Sequence, residues 1–146
     1  MSTSDTEAVS RHEIEELWNS SGDLDAMNEY VAEDIDYHAP RMDLHGMDEY
    51  RKAAEEARTV FSDFETTVED VIASDDKVAI RYTMRGTHSG EAMGIEPTNE
   101  QIEMTGMFFD RIEDGKIRER YESPDELGML TQMGAVEPPE VDESEL

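Results

Sequence analysis

Gly106-Met-Phe-Phe-Asp-Arg-Ile-Glu-Asp-Gly-Lys-Ile-Arg-Glu-Arg-Tyr-Glu-Ser-Pro-Asp125 is the stretch around which the rest of the chain is organised. Asp114-Gly115 separates two runs of alternating character, and a glycine that accepts φ > 0 between such runs predicts a β-hairpin. The first arm, 102–112, is apolar on both faces: Ile102, Met104, Phe108 and Ile112 on one, Met107 and Phe109 on the other. That pattern predicts a strand covered on both sides, in the middle of a domain. The second arm, 116–123, sets Ile117, Glu119 and Tyr121 against Arg118, Arg120 and Glu122. It breaks at Pro124 and delivers Asp125 to the start of a last apolar segment, 127–133. A carboxylate placed where a strand leaves a sheet is a candidate catalytic group. It is equally a candidate helix N-cap, because Asp accepts hydrogen bonds from the first free N–H groups of a helix.

The 146 residues fit one domain with a sizeable core. No apolar run reaches membrane-spanning length, and Met1-Ser-Thr-Ser-Asp-Thr-Glu7 lacks a basic and apolar signal peptide, so a cytoplasmic protein is expected. The absence of cysteine excludes disulfides, thiol nucleophiles and cysteine metal sites. Asp and Glu total 38 against 12 Lys and Arg, a formal net charge of −26, and only Lys52, Lys77 and Lys116 are lysines. Such a charge repels phosphates and acidic membranes, so neither nucleic acid nor membrane is an expected partner. At molar salt the Debye length falls to about 3 Å and self-repulsion nearly vanishes. An acid-rich, lysine-poor surface therefore fits the cytoplasm of a halophile.

Residues 1–7 read as a disordered leader, 8–134 as the domain, and 135–146, with its prolines and acids, as a solvated tail. Ile14, Leu17 and Trp18 form a helical stripe ringed by Glu13, Glu15 and Glu16. Asp23 can cap a second short helix with Leu24, Met27 and Val31 inward. A short strand is predicted over 34–39 and a loop over 41–46. Met47, Tyr50, Ala53, Ala54, Ala57 and Phe61 make the clearest helical stripe. The period then changes: strands are predicted over 64–72 and 77–88, a loop over 89–100, then the hairpin and a short final helix. Helices first and antiparallel strands afterwards indicate α+β, a curved antiparallel sheet forming a cone covered by three N-terminal helices plus a short C-terminal one. Its interior would be an apolar pocket for a small hydrophobic ligand.

Trp18-Asn19 with Gly22-Asp23, His38-Ala-Pro40, Gly46, Phe61-Ser-Asp63-Phe, Asp76-Lys-Val-Ala-Ile-Arg81, Gly86-Thr-His88 with Gly90-Glu, Gly94-Ile with Pro97-Thr, Gly106, Arg111-Ile with Asp114-Gly-Lys-Ile117, and Asp125 with Leu127-Gly and Gln132-Met-Gly134 follow one another in order. Together, over about residues 12–134, they resemble the SnoaL-like polyketide (ester) cyclases of the nuclear transport factor 2-like superfamily. The resemblance implies a cone-shaped sheet, pairing into a homodimer through its outer face, and ring closure by intramolecular aldol condensation with no metal or organic cofactor. It implies Asp125 as acid/base, with His38 and His88 as recurring histidines. Tyr121 stands where the family commonly has Trp. The same scaffold also fits an isomerase, a dehydratase, an epoxide hydrolase, or a non-catalytic ligand-binding or dimerisation module.

The candidate catalytic residues are Asp125, His38 and His88. Each has a structural alternative: Asp125 as a cap, the histidines as groups bonded to backbone. The candidate pocket residues are Trp18, Tyr37, Phe61, Arg81, Met107, Phe109, Arg111, Tyr121 and Met129. Arg81 and Arg111 have a second reading as cross-strand salt bridges. His12 and His45 read as surface, and four histidines without paired spacing make no metal motif.

Overall fold

The computed structural model describes residues 2–137, 140 and 142–145. Helix α1 (Thr3–Leu17) starts inside the segment expected to be a leader. Ser2 caps it: its Oγ accepts from the Asp5 N–H, and the Ser2 N–H donates back to the Asp5 carboxylate, both at 3.2 Å. Such a reciprocal capping box satisfies two free donors and extends the helix to its end. After a 3-10 turn (Leu24–Ala26) and the one-turn α2 (Met27–Tyr30) comes β1 (Val31–Ala39), which takes Val31 from the predicted helix. Strand β2 (Met42–His45) lies in the stretch read as a loop. Helix α3 (Met47–Val60) follows, then β3 (Glu65–Ser74), β4 (Lys77–Thr87), β5 (Gln101–Glu113), β6 (Lys116–Pro124) and α4 (Glu126–Gln132). In the tail, Glu143–Glu145 form a 3-10 turn, and Pro138, Pro139, Val141 and Leu146, like Met1, lie outside the described residues.

The six strands form one sheet in the order β2-β1-β6-β5-β4-β3. The hairpin turn has φ of 52° at Asp114 and 78° at Gly115, as a two-residue turn matched to strand twist requires. Every neighbouring pair is antiparallel except β1 and β6, which run parallel and join the chain's two ends. The concave face packs against the helices through Ile14, Leu17, Val31, Ile35, Ile80, Ile102 and Ile117, all buried. The opposite face is not covered: Met107 and Phe109, expected to be buried, are 58% and 43% exposed. Among the described residues no helix is long and apolar enough to cross a membrane.

One irregularity positions the site. Ile112 pairs with Ile117, but the next pair is Arg111 with Glu119, so Arg118 is an extra residue on β6. A bulge of this kind reverses the phase of alternation beyond it. The regular pattern puts Ile117 and Tyr121 on one face. After the bulge Tyr121 points outward, and Arg120 and Glu122 point into the concave side.

Candidate active site

The concave face encloses a cavity of about 430 Å³. Its walls are apolar and aromatic: Trp18 from the end of α1, Tyr37 and Ala39 from β1, Tyr50 and Ala57 from α3, Tyr82 and Met84 from β4, Phe108 and Met104 from β5, and Phe61, Phe64 and Met129. Two carboxyl groups line it: Glu122, set among these walls, and Glu126, which is paired with Arg41 at 2.6 Å.

Glu122 receives one hydroxyl on each oxygen. Tyr37 donates to Oε1 and Tyr82 to Oε2, from strands on either side of the hairpin. Burial raises the Glu122 proton affinity above the ordinary value, because an apolar surrounding disfavours the charged form; the two tyrosine hydrogen bonds and the Arg120 charge oppose that rise without cancelling it. Tyr37 and Tyr82 are pushed well up, first by burial and then by the adjacent Glu122, so both remain protonated donors. Tyr82 reaches its position because β5 carries glycine opposite it: Gly106 pairs with Tyr82, and a Cβ there would lie 2.3 Å from the phenolic oxygen.

One inward step before Glu122, Arg120 is fully buried with Glu13 and Asp110. Asp110 accepts from Arg120 Nε and Nη2, both at 2.7 Å, in the two-pronged geometry a guanidinium favours. Glu13 Oε1 accepts from Nη1 at 2.6 Å. The Tyr50 hydroxyl accepts from the same Nη1 at 2.8 Å and donates to Glu13 Oε2 at 2.6 Å, and the Trp18 indole N–H donates to that oxygen at 3.1 Å. Burial works against the Arg120 charge, but Asp110 and Glu13 outweigh it and hold the guanidinium protonated. Glu13, one of the three acids that ring the helical stripe in the sequence, is the buried partner that anchors α1.

The pocket residues singled out from sequence divide between two places. Trp18, Tyr37, Phe61 and Met129 line the cavity. Arg81, Met107, Phe109 and Tyr121 instead line a shallow groove of about 320 Å³ on the outer sheet face, because they occupy the other phase of β4, β5 and β6. Arg111 shares that outer phase and is exposed.

Asp125 is exposed and caps α4, its Oδ1 accepting from the Gly128 N–H at 2.9 Å. It does not line the cavity. His38 stacks on Tyr121 at 4.8 Å on the outer face, its Nδ1 2.8 Å from Asp43 Oδ1. His88 is buried, and its Nδ1 accepts from the Thr98 N–H at 3.3 Å. The three therefore do not converge. Sequence reasoning missed Glu122, Tyr82 and the Glu13–Arg120–Asp110 cluster. A signal existed: an unbulged two-residue hairpin sets Asp110 opposite Glu119, like charges facing, whereas one extra residue sets it opposite Arg120.

A curved six-stranded sheet with four helices, its concave side holding an apolar cavity lined by Glu122, defines an α+β cone domain. Residues 8–133 match the family model described as SnoaL-like polyketide cyclase, and the chain belongs to that family. It is 30% identical over 121 residues to the nogalonic acid methyl ester cyclase of Streptomyces nogalater, covering 79% of this chain and 88% of that protein. The crystal structure of wild-type IdmH from Streptomyces antibioticus superposes with a TM-score of 0.72 at 32% identity, over 92% of this chain and 99% of that one. AclR from Streptomyces galilaeus gives 0.82 at 25% identity, over 98% and 92%.

Proposed function

We propose that the protein is a cofactor-independent cyclase closing a ring by intramolecular aldol-type condensation, with Glu122 as the acid/base. The reading is carried by one observation: a carboxyl with raised proton affinity, held by two tyrosine hydroxyls, inside an apolar cavity large enough for a small hydrophobic carbonyl compound. In the forward step the Glu122 carboxylate takes a proton from carbon next to a carbonyl. The resulting enolate carbon bonds to a second carbonyl carbon of the same molecule, and the new alkoxide takes the proton back from Glu122. One C–C bond forms, one proton moves from carbon to oxygen, and no redox group is consumed. Tyr37 or Tyr82 donates to the developing oxyanion when its bond to Glu122 opens.

Asp125 and His38 are left out of this scheme because neither lines the cavity. The test is Glu122→Gln against a panel of compounds that each carry an enolisable ketone or ester and a second carbonyl placed to accept the new bond. Turnover should fall by about 10²–10⁴-fold. Ligand binding should persist, read by the emission of Trp18, the one tryptophan, which lies in the cavity wall. Full activity in the variant would remove Glu122 from the mechanism, whereas binding without turnover by the wild-type protein would favour a binding module.

We further propose that the protein works as a homodimer joined through the outer sheet face. The exposed row of Ile72, Met107, Phe109 and Tyr121 supports this, since an apolar patch on so acidic a chain is costly to leave in water. The excess of acid, 38 residues against 12 basic, supports a salt-rich cytoplasm as its setting.

A further inference from the structure

The three buried charges Glu13, Arg120 and Asp110 centre on Arg120, one inward position from Glu122, and none of the three side chains lines the cavity. Packing alone does not call for them, because apolar residues of similar volume replace buried ion pairs at little or no loss of stability. Their connections run toward the carboxyl by two routes. Arg120 lies over the Phe108 ring at 4.3 Å, and Phe108 stacks on Tyr82 at 4.7 Å, whose hydroxyl holds Glu122 Oε2. Tyr50, bonded to both Arg120 and Glu13, sets its ring edge against Tyr37 at 5.9 Å, whose hydroxyl holds Oε1. Asp110 alone already gives the guanidinium a two-pronged partner, so Glu13 is a second carboxylate on one cation.

We propose that Glu13 is a positioning residue for the chemistry at Glu122: with Asp110 it pins Arg120 so that Tyr37 and Tyr82 meet both carboxyl oxygens, and it offsets the arginine charge so that Glu122 can carry a proton. The inference rests on the reading of Glu122 as acid/base. The ionisable groups facing Glu122 are Tyr37 from β1, Tyr82 from β4, Arg120 from β6 and Glu126 from α4, the last paired with Arg41. Of these only Arg120 touches Glu13, so removing the Glu13 charge acts on Glu122 through the guanidinium.

The test follows the Glu122 carboxyl directly, by ¹³C NMR of side-chain-labelled glutamate, with the signal assigned by its loss in Glu122→Gln. In Glu13→Gln one of the two negative charges paired with Arg120 is gone, the cluster becomes less negative and favours the ionised carboxylate, and the Glu122 midpoint should fall by about one pH unit, a tenfold loss of proton affinity. The pH–rate profile should move with it. Asp110→Asn, on a different element, should shift the midpoint the same way, and it keeps the test open if Glu13→Gln does not fold. Glu13→Asp keeps the charge on a shorter arm, so it should restore the midpoint while leaving the rate low. A folded Glu13→Gln or Asp110→Asn with the wild-type midpoint and only a lower melting temperature would overturn the inference. A wild-type Glu122 titrating in the ordinary carboxylate range would instead overturn the acid/base reading itself.

Discussion

Midway along the β5–β6 hairpin the two faces depart from the usual distribution of side chains. The inner face holds Asp110 and Arg120 fully buried and Glu122 in the cavity wall, while the outer face leaves Met107, Phe109 and Tyr121 exposed. Charged residues are ordinarily outside and large apolar ones inside. Each inner charge is committed to named partners, so its desolvation is offset by two or more short hydrogen bonds. The outer residues have no such commitment within one chain. The inner face is thus specified by its ion pairs and hydrogen bonds, and the outer face suits the association proposed above; alternation along the same strands lets the two differ without compromise.

The contrast breaks most visibly at Arg120. Arg120→Leu strands two buried carboxylates and should cost about 3–5 kcal/mol, read by urea or thermal unfolding; an unchanged stability would mean that the inner charges are not committed. On the other face, Phe109→Glu should leave the monomer folded and raise the dimer dissociation constant by about 100-fold, close to 3 kcal/mol, read by light scattering. Added KCl should strengthen the dimer and raise the melting temperature of this chain of net charge −26, because like charges are then screened. A smaller effect is the pH slope of stability from Glu122. Its folded proton affinity lies above the ordinary value of 4.5, so the stability it contributes is full below that value and is lost as pH rises through the raised one. Glu122→Gln should flatten that slope in denaturant titrations over the window. The smallest effect belongs to an exposed pair. His45 is raised above its ordinary 6.5 first by its hydrogen bond to Asp36, so Asp36→Asn should lower its NMR titration midpoint with no visible change in melting temperature.

The hairpin, α3 and the strands after Asp63 were legible because each carries an unbroken period and, at Asp114-Gly115, turn chemistry of one kind. Strand β2 was not, since four residues, three of them exposed, carry no alternation to detect. The reading of the site failed at one residue. Arg118 enters β6 as a bulge, and every assignment beyond it changes face: Tyr121 leaves the pocket and Glu122 enters it. Asp125 was legible as a cap, which is a local property, and the same local signal could not say whether the carboxylate faced a cavity. Glu13 was hidden for the opposite reason, because its partners Arg120 and Tyr50 lie 107 and 37 residues away and nothing nearby marks it apart from Glu15 and Glu16.

Gly106 makes one wall of the site by omission. The phenol of Tyr82 occupies the space where any other residue would place its first side-chain carbon. An alanine scan assigns importance by what is lost when a side chain is cut back, and at this position there is nothing to cut. Alanine here is an insertion of one methyl group against the hydroxyl that holds Glu122. A survey reading such data for losses at truncated positions would pass over the residue on which the placement of Tyr82 depends.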